Sequence, residues 1–220
     1  MPTYVIEHME DDNRDSTFPH WIALEYAQMC RLATDASHVI FSSLSPASVA
    51  SLTDQLVAKG IPRSAFTVET RSVRELMREQ RVELERVCLL DPRATKVIGP
   101  DDKSDFDWFL FGGILGDDPP RDRTGILRRD GYPSRHLGPV QMTTDTALGV
   151  TKLCVQDGKR LDEIHFVDHP TIKFPGKGYE NESVEMPFRY VVDERTGEPI
   201  LPDGMREHLR DDMDRELEDF

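Results

Sequence analysis

Short apolar runs alternate with stretches of helical spacing along most of this chain. Residues 3–8 (TYVIEH) read as an opening strand. After the polar stretch 10–17, Pro19 is placed to start a helix. Trp21, Leu24, Tyr26, Ala27, Met29 and Cys30 then recur at helical spacing to about Leu32. HVIF at 38–41 is a compact, β-branched buried strand. Ser45-Pro46 opens a second helix to about Lys59, closed by Gly60 and Pro62. A third runs from Ser72 to Arg81, with SVRE at 72–75 fitting a capping box. RVCLLDP (86–92) and WFLFGG (108–113) are strands apolar on both faces, the second running into a glycine-rich loop. Such strands with helices between them describe an α/β fold around a parallel sheet. Thr143–Gln156 reads as a further helix, and Ile164–Val167 and Phe188–Val192 as short strands. Met205, Leu209, Met213 and Leu217 are spaced by four, with Phe220 extending the stripe: an amphipathic C-terminal helix with Asp203 near its N-cap. That helix either packs back on the core or offers an acidic grip to a basic partner.

Parallel α/β sheets place ligands at the carboxyl ends of their strands. The loops after Leu90, after Phe111 and near Leu137–Met142 are therefore the candidate site. Gly112, Gly113 and Gly116 let a ligand approach the backbone closely, yet their spacing matches neither GxGxxG nor a Walker loop. A phosphate-bearing cofactor is disfavoured. Asp117, Asp118, Asp122, Arg121 and Arg123 follow on a proline-stiffened loop suited to recognition.

Charge narrows the partners. The 220 residues carry 41 acids against 27 bases, a formal −14, and the last 28 supply 11 acids and 4 bases. Such a field repels phosphate backbones and suits a basic partner, so direct nucleic-acid binding is not expected. No apolar run approaches the ~20 residues needed to span a bilayer, and the first ten residues lack the basic start of a secretory signal. Cys30, Cys88 and Cys154 are far apart and lack CxxC spacing, which points to buried thiols in a reducing, cytoplasmic compartment. His165 and His169 bracket a strand end where their rings need not converge, so no metal site is expected. No Ser-His-Asp or Cys-His nucleophile follows from these spacings.

The order of FGGILGDDPPRDRT (111–124), RHLGPVQMTTDTAL (135–148) and VEMPFRYVV (184–192) resembles the SPOUT-fold methyltransferases. It is most similar to their fungal and archaeal branch of protein arginine methyltransferases, which use S-adenosylmethionine and modify a small-subunit ribosomal protein. The resemblance implies a parallel α/β sheet with a C-terminal trefoil knot over residues 1–202, followed by the acidic helix 203–220. It also implies a monomer, and the extra helix is a candidate cover for the face through which most of the family dimerises. Carried onto this chain, the cofactor loops would be Leu90, Asp91 and Pro92 (to Arg93); Phe111, Gly112, Gly113 and Gly116; and His136, Leu137, Gly138, Met142, Thr143 and Thr144.

An arginine acceptor is cationic, and so is the sulfonium donor, so carboxylates must offset the repulsion and hold the guanidinium. Candidate catalytic acids are Glu7, Asp117, Asp118 and Asp145. Each has a plainer reading: a strand end for Glu7, turn formers for Asp117 and Asp118, a helix-dipole residue for Asp145. His136 would either pack over the cofactor or fill a turn. An RNA methyltransferase, for which Arg121 and Arg123 speak, and a non-enzymatic acidic binding module are the competing readings.

Overall fold

The computed structural model describes residues 1–9, 18–33, 37–113, 124–174 and 183–218. In chain order the elements are β1 (Thr3–His8), α1 (His20–Ala33), β2 (His38–Ser42), α2 (Pro46–Ala58), β3 (Phe66–Val68), α3 (Val73–Gln80), β4 (Val87–Leu90), α4 (Asp102–Asp105), β5 (Trp108–Gly113), α5 (Thr124–Arg129), β6 (Ser134–Arg135), α6 (Thr144–Val155), β7 (Phe166–Asp168), β8 (Thr171–Lys173), β9 (Ser183–Glu185), β10 (Arg189–Val191) and α7 (Met205–Glu218). Six strands form one sheet in the order β3-β2-β1-β5-β4-β6, and every pairing in it is parallel.

The period of two along the strands builds cores on both faces. Tyr4, Ile6, Val39, Phe41, Phe109 and Phe111 point to one side and pack with α1, α2 and α6. Val5, Ile40, Leu89, Trp108 and Leu110 point to the other, against α3 and α5. A smaller cluster of Ile172, Phe174, Met186, Phe188 and Tyr190 joins β8, β9 and β10, with Leu209 and Met213 of α7 packed on it.

Local chemistry sets the helix ends. Ser45 Oγ accepts the Ser48 amide at the start of α2. At α3, Ser72 and Glu75 form the reciprocal capping box that their spacing predicts. The stripe Met205, Leu209, Met213 packs inward, as the reading of a helix laid back on the core expects. Asp203 lies two residues before α7 and pairs with Arg31 of α1 at 3.6 Å. Leu217 and Phe220 lie outside the described side chains.

Three expectations change. Strand β7 starts at Phe166, because Leu161–Glu163 form a single 3-10 turn and Ile164 tucks in behind it. Helix α1 is buried almost all round, Glu25 and Gln28 included, rather than along one stripe. The short strands β3, β6, β8 and β9 and the short helices α4 and α5 were not foreseen. All three cysteines are free and buried, and burial pushes each thiol up to about 12, so they are poor nucleophiles. Among the described residues no helix is long and apolar enough to cross a membrane.

Candidate active site

A cavity of about 330 Å³ opens at the carboxyl ends of β4 and β5. The turn after β4 supplies Leu90, Asp91, Pro92 and Arg93, and the end of β5 supplies Phe111 and Gly112. Leu137 to Met142 form a third wall, and Thr144 and Ala147 of α6 close it. Helix α5 adds Thr124 and Arg128. The three loops picked out in the sequence therefore meet at one place.

Two glycines make the wall possible. Gly138 has φ +101°, a conformation that L side chains rarely adopt, and turns the third loop back toward α6. At Gly113 an added Cβ would stand 3.0 Å from the Glu7 carbonyl and 3.3 Å from His8 Cα, so a side chain there would press on the β1 backbone and push the two strands apart by a few tenths of an ångström.

The charged group in the wall is a fork. Arg128 donates from Nε to Asp91 Oδ2 at 2.5 Å and from Nη2 to Asp91 Oδ1 at 2.7 Å. Oδ1 also accepts the Arg93 amide at 2.9 Å. Asp91 is almost fully buried, so this pair ties α5 to the end of β4. No local spacing announces Arg128, 37 residues away. Ala147 was likewise missed.

The remaining site candidates sit as follows. Gly113, His136 and Thr143 stand next to lining residues without lining the cavity. His136 fills the turn: its Nδ1 accepts the Gly138 amide at 3.1 Å. Thr143 is the N-cap residue of α6, and its hydroxyl bonds that of Thr146 at 2.8 Å. Gly116, Asp117, Asp118, Arg121 and Arg123 lie outside the described residues. Glu7 is buried at the end of β1, in register with the lining residue Gly112 though not itself in the lining, and accepts three hydrogen bonds: Ser42 Oγ (2.5 Å), Ser43 Oγ (2.7 Å) and the Val73 amide (2.9 Å). The described lining is thus not acidic, since its charged side chains are Asp91, Arg93 and Arg128.

Asp145 lies in the first turn of α6, between Thr144 and Ala147, and is 3% exposed. Burial pushes its carboxyl up to about 6. Glu25 of α1 is also buried, and burial together with the neighbouring Asp145 raises it well above the usual carboxylate range. Tyr190 of β10 is raised by burial and then by both acids. Neither Glu25 nor Tyr190 was a sequence candidate. His165 and His169 are exposed at the two ends of β7, and no group of three or more described His, Cys, Asp or Glu side chains is arranged to hold a metal.

A family model described as SFM1-like protein arginine N-methyltransferase matches residues 3–216. The chain belongs to that family. Protein arginine N-methyltransferase SFM1 of Saccharomyces cerevisiae is 42% identical over 226 residues, covering 99% of this chain and 98% of the yeast protein. The crystal structure of the yeast arginine methyltransferase SFM1 complexed with SAM superposes with a TM-score of 0.80 at 40% identity, over 96% of this chain and 91% of that one. Its complex with SAH gives 0.77 at 42% identity, over 92% of each chain. The dual specific Trm10 of Thermococcus kodakaraensis reaches 0.56 at 21% identity, covering 74% of this chain and 96% of its own, a likeness of fold alone. The fold is SPOUT-type, with a parallel central sheet.

Proposed function

We propose that this protein transfers a methyl group from S-adenosylmethionine to an arginine of a basic protein, a small-subunit ribosomal protein being the acceptor class. The observation that carries the reading is the cavity lined by the turn after β4, the end of β5 and the loop 137–142, in a chain 40% identical to a yeast enzyme solved with SAM.

The cavity suits that cofactor. Its 330 Å³ falls within the ~300–1,000 Å³ of small-molecule sites. Leu90, Phe111, Leu137, Met142 and Ala147 offer apolar surface for a flat base, and Gly112 and Gly138 expose backbone. Asp91, forked by Arg128, is the polar group fixed among them. S-adenosylmethionine, when bound, supplies a methyl whose bond to sulfur breaks with its electron pair left on sulfur. The chain's own part is to hold the acceptor nitrogen in line, a contribution worth up to ~7–11 kcal/mol. It must also offset the guanidinium charge and accept the proton that leaves that nitrogen. Asp145, beside the lining with a carboxyl near 6, is suited to that last task. Glu7, whose oxygens are engaged by Ser42, Ser43 and Val73, is suited to fixing the β1–β2–α3 edge. Asp117 and Asp118 remain candidate acceptor contacts on sequence grounds.

The formal −14 favours a cationic polypeptide over RNA. The SPOUT-type fold is the ground for a knotted path in this part of the chain. Helix α7 lies against α1, which packs on α6, and a helix laid over that side is the feature that favours a monomer. Free thiols fit a reducing, cytoplasmic setting. The test is incubation with methyl-labelled S-adenosylmethionine and ribosomal extract. Label that survives nuclease and is lost to protease is expected; the reverse pattern would make the chain an RNA methyltransferase. Absence of cofactor binding at millimolar concentration would leave only a binding module.

A further inference from the structure

Glu25 Oε2, Asp145 Oδ1 and Tyr190 Oη are buried and have no hydrogen-bond partner among the described residues. They belong to α1, α6 and β10, and α6 packs against both of the others. The residues are 5%, 3% and 2% exposed. A buried carboxylate without a partner is costly, and two facing each other are costlier still. Asp145 is held in part by the Thr143 hydroxyl and the Thr146 amide, Glu25 feels Asp145, and Tyr190 feels both acids; no described cation acts on either acid. Arg31, the basic residue within α1, meets Lys59 O and Asp203 through Nη2 and Nε, its Nη1 being buried without a described partner, and it is not among the groups acting on the acids. The arrangement is therefore incomplete on its own: two oxygens and a phenol, in need of a positive charge and several donors.

We infer that Glu25, Asp145 and Tyr190 form the socket for the acceptor arginine, taking up its guanidinium beside the cavity at the N-terminus of α6. A planar guanidinium carries one positive charge and five N–H donors in a fixed fork, which matches acceptors spread over three elements. An ammonium is compact, with three donors from one atom, and matches them less well. Position fits the chemistry, because Asp145 stands between Thr144 and Ala147, both of which line the cavity. This inference rests on the arginine-methyltransferase reading and adds Glu25 and Tyr190 to it as acceptor-binding residues.

The test uses the full chain, carboxyl-labelled with ¹³C and saturated with S-adenosylhomocysteine, and titrated with N-acetyl-arginine amide while the acid resonances are followed by NMR. The Glu25 and Asp145 signals are expected to move, and their titration midpoints to fall, because a bound cation favours the ionised forms. Glu25→Gln should weaken the probe by about tenfold or more, and Tyr190→Phe by about threefold, with affinity for S-adenosylhomocysteine held within about twofold. Probe binding that leaves both carboxyl signals unmoved, no probe binding at all, or variants that bind it as the wild type does would each make the pair a structural, proton-sharing contact and overturn the socket. Failure of the wild type to bind S-adenosylhomocysteine would instead overturn the methyltransferase reading itself.

Discussion

At Glu7 a single carboxylate holds three neighbours: two hydroxyls of the β2 edge and the first amide of α3. Glu7→Ala strands these buried donors and is expected to cost roughly 2–4 kcal/mol, read as a lower urea midpoint with faster amide exchange at Val73. A near-neutral variant that loses only turnover would instead give Glu7 the catalytic role that the sequence suggests. Asp145 acts with the opposite sign. Its carboxyl is raised from 3.8 to about 6, so between those values the folded chain keeps a proton that the unfolded chain has released. The stability from this site is full below the lower value and lost as pH rises through the upper one. Wild type should therefore fall behind Asp145→Asn as pH goes from about 4 to about 7, and parallel stability curves would contradict this. Such single-residue roles were only partly legible. Asp91 stands in a loop that strand order marks out and Asp145 in the first turn of the helix after another, whereas Glu25 sits in a helix that looks amphipathic and proves buried almost all round.

Among the elements, those with a two-faced apolar pattern were the readable ones. Strands β1, β2, β4 and β5 and helices α2, α3 and α6 lie where their periodicity and caps put them, because burial on both faces and an explicit N-cap are local signals. β3 and β6 are two or three residues long and exist through pairing with β2 and β4, which no local pattern encodes. Helix α5 is held to the cavity by the Arg128–Asp91 fork. Arg128→Gln leaves Asp91 buried and without its counter-charge. Because Arg128 itself is about one-third exposed, the expected loss is about 1–3 kcal/mol, below that of a fully buried pair. Cofactor affinity should fall by about tenfold, and adding Asp91→Asn should recover part of the stability, both measured by calorimetry. Unchanged cofactor affinity would remove α5 from the site.

Over the whole molecule, net charge and lining chemistry point different ways, and the proposed basic acceptor rests on the first. The described lining carries one acid and two arginines, while the chain as a whole is at −14 and half of that lies in its last 28 residues. Long-range attraction of this kind is screened by salt. The KM for a basic protein acceptor should rise by several-fold between about 20 and about 200 mM NaCl, with the cofactor KM nearly constant. A salt-insensitive acceptor KM would mean that the net charge has no part in recognition. The central claim is that a guanidinium, and not a nucleobase, receives the methyl group. The direct measurement is acid hydrolysis and amino-acid analysis of small-subunit ribosomal particles after incubation with the protein and methyl-labelled S-adenosylmethionine. Label eluting as methylarginine is the predicted result, and label eluting with methylated nucleosides would contradict it.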